Sequence, residues 1–236
     1  MAGWLDEIAQ WPVDLTRWLT FFEYRSPSTL SRIENVVPFH QGIKSVLEDP
    51  ALVEILGELM GEPALLYKDR VNFKPPSGGP HEAHQDGVAF EVGQRSQFGS
   101  ADAQYLSVLI AVDLATVGNG CLEIAVGWPL DRIEILPMEF PDQARPNYST
   151  MSQESEDQLN WRPIEAEPGD VLIFTERLPH RSRGNTSTSS RRILYGVYSP
   201  SSEGDRRSQY FDEKRRNINH ARYMIGNPHA AIEPMS

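Results

Sequence analysis

Leu65-Leu66-Tyr67-Lys68-Asp69-Arg70-Val71-Asn72-Phe73-Lys74 runs into Pro75-Pro76-Ser77-Gly78-Gly79-Pro80 and then into His81-Glu82-Ala83-His84-Gln85-Asp86-Gly87. The first ten residues are strand-like, and the Pro/Gly-rich stretch after them is a loop. The last seven carry the pattern His-x-Asp. On a strand, residues two apart point to the same face, so His84 and Asp86 can reach one point. The dipeptide pattern alone arises by chance in many chains, and its weight depends on what lies around it.

Downstream of this stretch the chain keeps a β texture. Tyr105 to Val112 is a mostly apolar strand, Gly118-Asn119-Gly120 a turn, and Cys121 to Val126 the next strand. Glu167-Pro168-Gly169-Asp170 turns into Val171-Leu172-Ile173-Phe174, and Ile193 to Tyr198 is a last strand before a polar, Arg-rich C-terminal segment. Asp113 and Asn119 read as turn-forming residues. Upstream, the first third reads as helical, over residues 1–62. Asp49 to Met60 places apolar residues at 52, 55, 56, 59 and 60, with Asp49 as N-cap, Pro50 in the first turn and Gly61 as the stop. His40 to Leu47 is a second candidate helix. Short strands after helices suggest a β-sandwich or jelly roll with helices packed on one side, its core spanning about 64–200 in a single domain of 1–236. Residues 131–162 are long, polar and weakly periodic, which fits either a lid over a site or a variable surface insertion.

Composition narrows the partners. The formal net charge is −11, which argues against nucleic acid or an anionic membrane, since both reward Lys/Arg patches. Eighteen prolines and seventeen glycines favour short strands with turns over long helices. No apolar run approaches the roughly 20 residues of a membrane span. The start, Met1-Ala2-Gly3-Trp4-Leu5-Asp6, lacks the basic and apolar regions of a signal peptide. The single cysteine, Cys121, rules out an intrachain disulfide and reads as a small buried apolar residue in a reducing compartment. A cytoplasmic protein is the expectation.

With only six histidines in the chain, the search for a further ligand is short. His180, in Leu178-Pro179-His180-Arg181-Ser182, follows the Val171 to Phe174 strand closely. In a jelly roll, distant strands face each other, so His84, Asp86 and His180 can converge. Two histidines and one carboxylate on one face of an octahedron, with the opposite face open, describe a non-heme Fe(II) oxygenase centre. Arg191 stands eleven residues past His180, at the mouth of the last strand. A guanidinium binds a carboxylate bidentately, the anchor that the distal C5 carboxylate of 2-oxoglutarate requires while its α-keto acid end chelates the metal. Arg192 is the adjacent alternative, but on a strand it faces the other way.

These motifs resemble the phytanoyl-CoA dioxygenase family of Fe(II)/2-oxoglutarate oxygenases. The resemblance covers roughly residues 30 to 216. It rests on His84-Gln85-Asp86-Gly87, on Ile110 to Thr116 through Asn119-Gly120-Cys121-Leu122-Glu123, on Pro168-Gly169-Asp170-Val171, and on His180 through Asn185 to Arg191-Arg192. It implies a mainly β fold with flanking helices, a double-stranded β-helix (jelly roll, cupin-like). It implies iron held by His84, Asp86 and His180, 2-oxoglutarate anchored by Arg191, and O2 as the oxidant. Asn72, Lys74, Gln104 and Ser107 are candidates to hold the co-substrate, with solvated strand positions as the alternative for each. His81 is a candidate substrate contact near the iron. Trp128 is another, or a cover for the core, because Val126-Gly127-Trp128-Pro129 departs from the Pro-Gly-Ser-His-like turn usual in relatives.

The implied reaction is hydroxylation of a small molecule with release of succinate and CO2. Asp86 argues against halogenation, for which related enzymes replace that carboxylate with a small residue. Desaturation or oxidative cyclisation at the same centre, and a non-catalytic metal- or 2-oxoglutarate-binding jelly roll, are the competing readings. Ser31-Arg32-Ile33-Glu34-Asn35 and Tyr210 to Arg216 look similar to a subgroup acting on small aminoalkyl phosphonates and amines. The expected substrate is therefore an amine, an amino acid or an aminoalkyl phosphonate.

Overall fold

The computed structural model describes residues 1–24, 26–88, 104–129, 134–143, 148–218 and 229–231. Two antiparallel sheets face each other. Thirteen strands can be followed among the described residues: β1 Leu19–Glu23, β2 Ser26–Glu34, β3 Ala64–Lys74, β4 His81–His84, β5 Leu106–Ala111, β6 Leu122–Ala125, β7 Met138–Glu139, β8 Thr150–Met151, β9 Trp161–Ile164, β10 Val171–Thr175, β11 His180–Ser182, β12 Arg191–Pro200 and β13 His229–Ala231. The large sheet has the order β10-β5-β12-β3-β2-β1-β13 and the small one β4-β11-β6-β9, while β7 and β8 pair separately. Helices α1 (Ala2–Ile8), α2 (Gln41–Leu47) and α3 (Pro50–Met60) precede β3, α4 (Gln153–Asp157) precedes β9, and α5 (Arg207–Arg216) follows β12.

Strand alternation sorts the large sheet into two unlike faces. Ile33, Val71, Phe73, Val108, Ile110 and Leu194 point outward and pack against Leu5, Ile8, Ile43, Leu47 and Leu56 of the three N-terminal helices. Facing the small sheet are Leu109, Ile193, Tyr195 and Phe174, which meet Leu122 there. The register sets Lys74 beside Arg191, Asn72 beside Ile193 and Arg32, and Arg70 beside Tyr195 and Glu34, all on that inner face.

The helical expectation for residues 1–62 holds for α2 and α3 but needs correction between them and α1. Asp49 caps α3 by accepting from Ala51 N at 3.0 Å, and Gly61 ends it at φ 76°. Leu19–Glu23 and Ser26–Glu34, in contrast, are two strands that widen the large sheet beyond β3. They pair with each other, and β2 pairs in turn with β3 some forty residues downstream, a long-range contact that local periodicity does not reveal. The stretch 131–162 is likewise not one insertion. Trp161–Ile164 pairs with β6 as an edge of the small sheet, and Thr150 Oγ1 donates to Ala83 O at 3.0 Å, tying β8 to β4. Residues 130–133 and 144–147 lie outside the described residues. One glycine in the β5–β6 connection is obligatory: Gly120 has φ 76°, and a Cβ there would lie 2.2 Å from Arg183 O. Among the described residues, no helix is long and apolar enough to cross a membrane.

Candidate metal centre and co-substrate pocket

The antiparallel register of β4 and β11 sets His180 directly opposite His84. Their ring centroids are 4.3 Å apart, and His84 Nε2 lies 3.9 Å from Asp86 Oδ1. One ligand atom from each of His84, Asp86 and His180 falls within 4.8 Å of the others, and all three side chains are buried. Backbone carbonyls set the tautomers. His84 Nδ1 is 2.6 Å from Glu82 O, and His180 Nδ1 is 3.0 Å from Leu178 O. A carbonyl only accepts, so each Nδ1 carries the proton and each Nε2 keeps a free lone pair for a metal.

Electrostatics agree with this arrangement. Burial and the neighbouring His180 push the His84 imidazole down to about 3, and burial likewise lowers His180, so both rings are neutral. Burial pushes Asp86 up, but His180, Lys68 and Arg70 outweigh it and hold the carboxyl well below the usual range. Ser107 Oγ donates to Asp86 Oδ2 at 3.0 Å, which orients the carboxylate. Between the two ligands, Gln85 turns the other way and is fully buried. Its Nε2 donates to Arg177 O at 2.6 Å and Glu134 O at 3.1 Å, while its Oε1 accepts from Leu136 N at 2.8 Å. The motif is thereby pinned to the β10–β11 turn and to the segment leading to β7. Two neutral imidazoles and an ionised carboxylate form a donor set suited to Fe(II).

Arg191, the candidate co-substrate anchor, stands out by its burial. It is 1% exposed, and neither Nε nor Nη1 has a hydrogen-bond partner. A buried guanidinium with idle donors is disfavoured by several kcal/mol unless an anion joins it. Arg192, one residue on, is committed elsewhere: its Nε and Nη2 grip Asp113 at 2.7 and 2.8 Å, and its Nη1 pairs with Asp6. Next to Arg191, Lys74 is 1% exposed and donates to Ser182 Oγ at 2.8 Å and Arg183 O at 2.5 Å. Burial and Arg191 push its ammonium well below the normal lysine range. Asn72 is buried in the next row with its Oδ1 unpartnered.

The other candidates fall in different places. His81 Nδ1 lies 3.5 Å from Ser182 Oγ, at the Lys74 end of the pocket. Gln104 sits half-buried ahead of β5, and Trp128 is half-buried in the turn after β6. Ser182 goes unmarked in the sequence, although its position two residues past His180 on the same strand is the available signal. Lys68 and Arg70 also go unmarked, while Arg32 and Glu34 enter the sequence reading only through the segment Ser31 to Asn35; all four line the inner face beside the triad. Arg32 Nε meets Glu34 Oε1 at 2.9 Å, and Lys214 of α5 reaches Glu34 Oε2 at 2.6 Å. Arg70 lies 4.6 Å from the Tyr195 ring centroid with its Nε unpartnered.

A double-stranded β-helix that converges two histidines and a carboxylate on its inner face defines the non-heme iron oxygenase class. The family model for phytanoyl-CoA dioxygenase (PhyH) matches residues 30–193, and the chain belongs to that family. It is 36% identical over 220 residues to a methylphosphonate hydroxylase from Gimesia maris, covering 92% of this chain and 77% of the relative. It is 35% identical over 218 residues to a 2-aminoethylphosphonate dioxygenase from an uncultured bacterium, HF130_AEPn_1, covering 91% and 77%. In fold it is similar to EctD from S. alaskensis, solved with 2-oxoglutarate and 5-hydroxyectoine. That likeness has a TM-score of 0.66 at 19% identity, over 86% of this chain and 66% of the other.

Proposed function

We propose that this chain is an Fe(II)/2-oxoglutarate-dependent oxygenase that hydroxylates a small organophosphonate. The single observation that carries the substrate class is the row of cations Arg32, Lys68 and Arg70 on neighbouring strands of the inner face, beside Asp86. A phosphonate carries up to two negative charges and three acceptor oxygens, and guanidinium and ammonium groups complement both features. The two relatives named for phosphonates support the same class.

In this reading His84 Nε2, His180 Nε2 and the Asp86 carboxylate hold the metal, while Arg191 receives the C5 carboxylate of 2-oxoglutarate with Ser182 and Lys74 beside it. When bound, Fe(II) and 2-oxoglutarate supply the O2 activation that hydroxylates an unactivated C–H bond and releases succinate and CO2. The protein's share is positional. Glu82 O and Leu178 O fix the imidazole tautomers, Ser107 orients Asp86, and Arg191 sets the direction of the co-substrate. Arg32, Lys68 and Arg70 would draw the anionic end of the substrate out of water and position its carbon near the His84, Asp86 and His180 cluster. Asp86 would supply a carboxylate ligand where related halogenases carry a small residue, which favours hydroxylation over halogenation.

The test is succinate release by the full chain in air with Fe(II), ascorbate and 2-oxoglutarate. Methylphosphonate or 2-aminoethylphosphonate should stimulate it well above the rate without substrate. Iron-dependent succinate formation that no phosphonate stimulates would overturn the substrate class. No iron-dependent succinate under any condition would overturn the oxygenase assignment.

A further inference from the structure

The ladder that aligns His84 with His180 stops short of the third ligand. β4 ends at His84, and Asp86 lies in the turn after it. Contacts outside the strand pairing must therefore hold the carboxylate in place. Ser107 Oγ reaches its Oδ2 from β5, and Gly87 N, next along the turn, donates to Glu176 O at 2.8 Å. Three further bonds run through the fully buried carboxamide of Gln85, which stands between the two ligands.

Those three bonds reach two different segments. The one to Arg177 O enters the β10–β11 turn one residue before Leu178, whose carbonyl fixes His180 Nδ1. It thus ties the turn bearing Asp86 to the turn that orients His180. The other two grip the backbone of residues 134–136, at Glu134 O and Leu136 N. Between them Ile135 packs on the ligand turn, its Cδ1 lying 3.1 Å from where a Cβ on Gly87 would stand. The segment continues into β7, which pairs with β8, and Thr150 of β8 returns to Ala83 O just ahead of His84. Two carbonyls and one N–H converging on one side chain call for two donors and one acceptor, which a neutral carboxamide offers. An apolar side chain there would leave all three backbone groups without this partner.

We propose that Gln85 is a positioning residue that sets Asp86 relative to His180 and couples the 134–136 segment to the metal centre. Metal affinity and the seating of that segment then rise and fall together, because coupling between two sites is reciprocal. The inference rests on the reading of His84, Asp86 and His180 as metal ligands.

Anaerobic Co(II) titration of the full-length, metal-free protein gives the readout, since the visible absorption of Co(II) follows its ligand geometry. Gln85→Met keeps the side-chain length and removes all three bonds. It should weaken Co(II) binding by about ten- to a hundredfold and alter the visible band. Leu194→Ala, which loosens the outer face, should leave both as in wild type. A folded Gln85→Met protein that is less stable but keeps wild-type Co(II) affinity and spectrum overturns the proposal. Hydrogen exchange on the wild type decides the coupling even if Gln85→Met does not fold. Co(II) should slow exchange at residues 134–136 by at least about threefold while α3 exchanges as before. Equal exchange at 134–136 with and without the metal overturns the coupling. A wild type that binds no Co(II) overturns the metal-ligand reading itself, and the inference falls with it.

Discussion

The two faces of the large sheet are made by the same strands and serve opposite ends. On β3, Val71 and Phe73 point outward into the helices, while Lys68, Arg70, Asn72 and Lys74 point inward. On β12, Leu194 faces out while Arg191, Ile193 and Tyr195 face in. In most half-exposed sheets the polar face meets water. Here it is the enclosed one: Arg32, Asn72, Lys74 and Arg191 are each no more than 4% exposed. The apolar face stabilises the fold, whereas the polar face includes a buried guanidinium, Arg191, with idle donors that an anionic ligand can relieve. Function is concentrated where the sheet departs from the arrangement that would stabilise it best.

The largest effects belong to the inner face. Alanine at His84 or Asp86 should lower iron-dependent succinate formation by at least about a thousandfold, because the donor set no longer holds Fe(II). Activity within tenfold of wild type, measured by succinate release, would break the assignment of these residues as ligands. Leu194→Ala, on the outer face, should lower unfolding free energy by about 2–5 kcal/mol in a denaturant titration. The KM for 2-oxoglutarate should stay at the wild-type value in the protein that remains folded. A raised KM would show that the two faces are not independent.

A smaller effect concerns Glu34 and Lys214, where α5 meets the inner face. Burial pushes Glu34 up, but Lys214 and Arg32 hold it at about 2 against a reference of 4.5. A depressed carboxyl contributes stability above its unfolded pKa and loses it as pH falls through the folded one. Acid unfolding should therefore draw on this pair between about pH 4.5 and 2. Lys214→Met should move the acid limb of the stability curve upward by roughly one unit. An unmoved limb would mean that Arg32 alone holds Glu34.

What could be read in the sequence follows from this contrast. His84 and Asp86 were legible as a His-x-Asp pattern, although β4 ends at His84 and Asp86 reaches the cluster from the turn after it, so alternation is not what joins them; alternation does separate Arg191 from Arg192. Ser182 obeys that rule too, but a serine on a strand carries no signal until its Lys74 partner is known. Asn72 and Lys74 admitted a solvated reading because polar alternation normally marks the wet face, and nothing local to β3 reveals that β2 and the small sheet cover it. Strands β1 and β2 were hidden for a related reason: beyond their own hairpin, the partners that fix them in the sheet, β3 and β13, lie far along the chain.

The central claim, that the inner face holds an unpaired cation for the co-substrate, can be tested without turnover. Anaerobic titration of 2-oxoglutarate into Fe(II)-loaded protein should produce a saturable visible charge-transfer band. Arg191→Ala should weaken that binding by about a hundredfold, in line with the loss of one partner of a buried charge pair. Arg192→Ala, which breaks the side-chain links to Asp113, Asp6 and Ala2 O, should leave it within about threefold of wild type. Equal affinities for wild type and Arg191→Ala, or a larger loss in Arg192→Ala, would contradict the account.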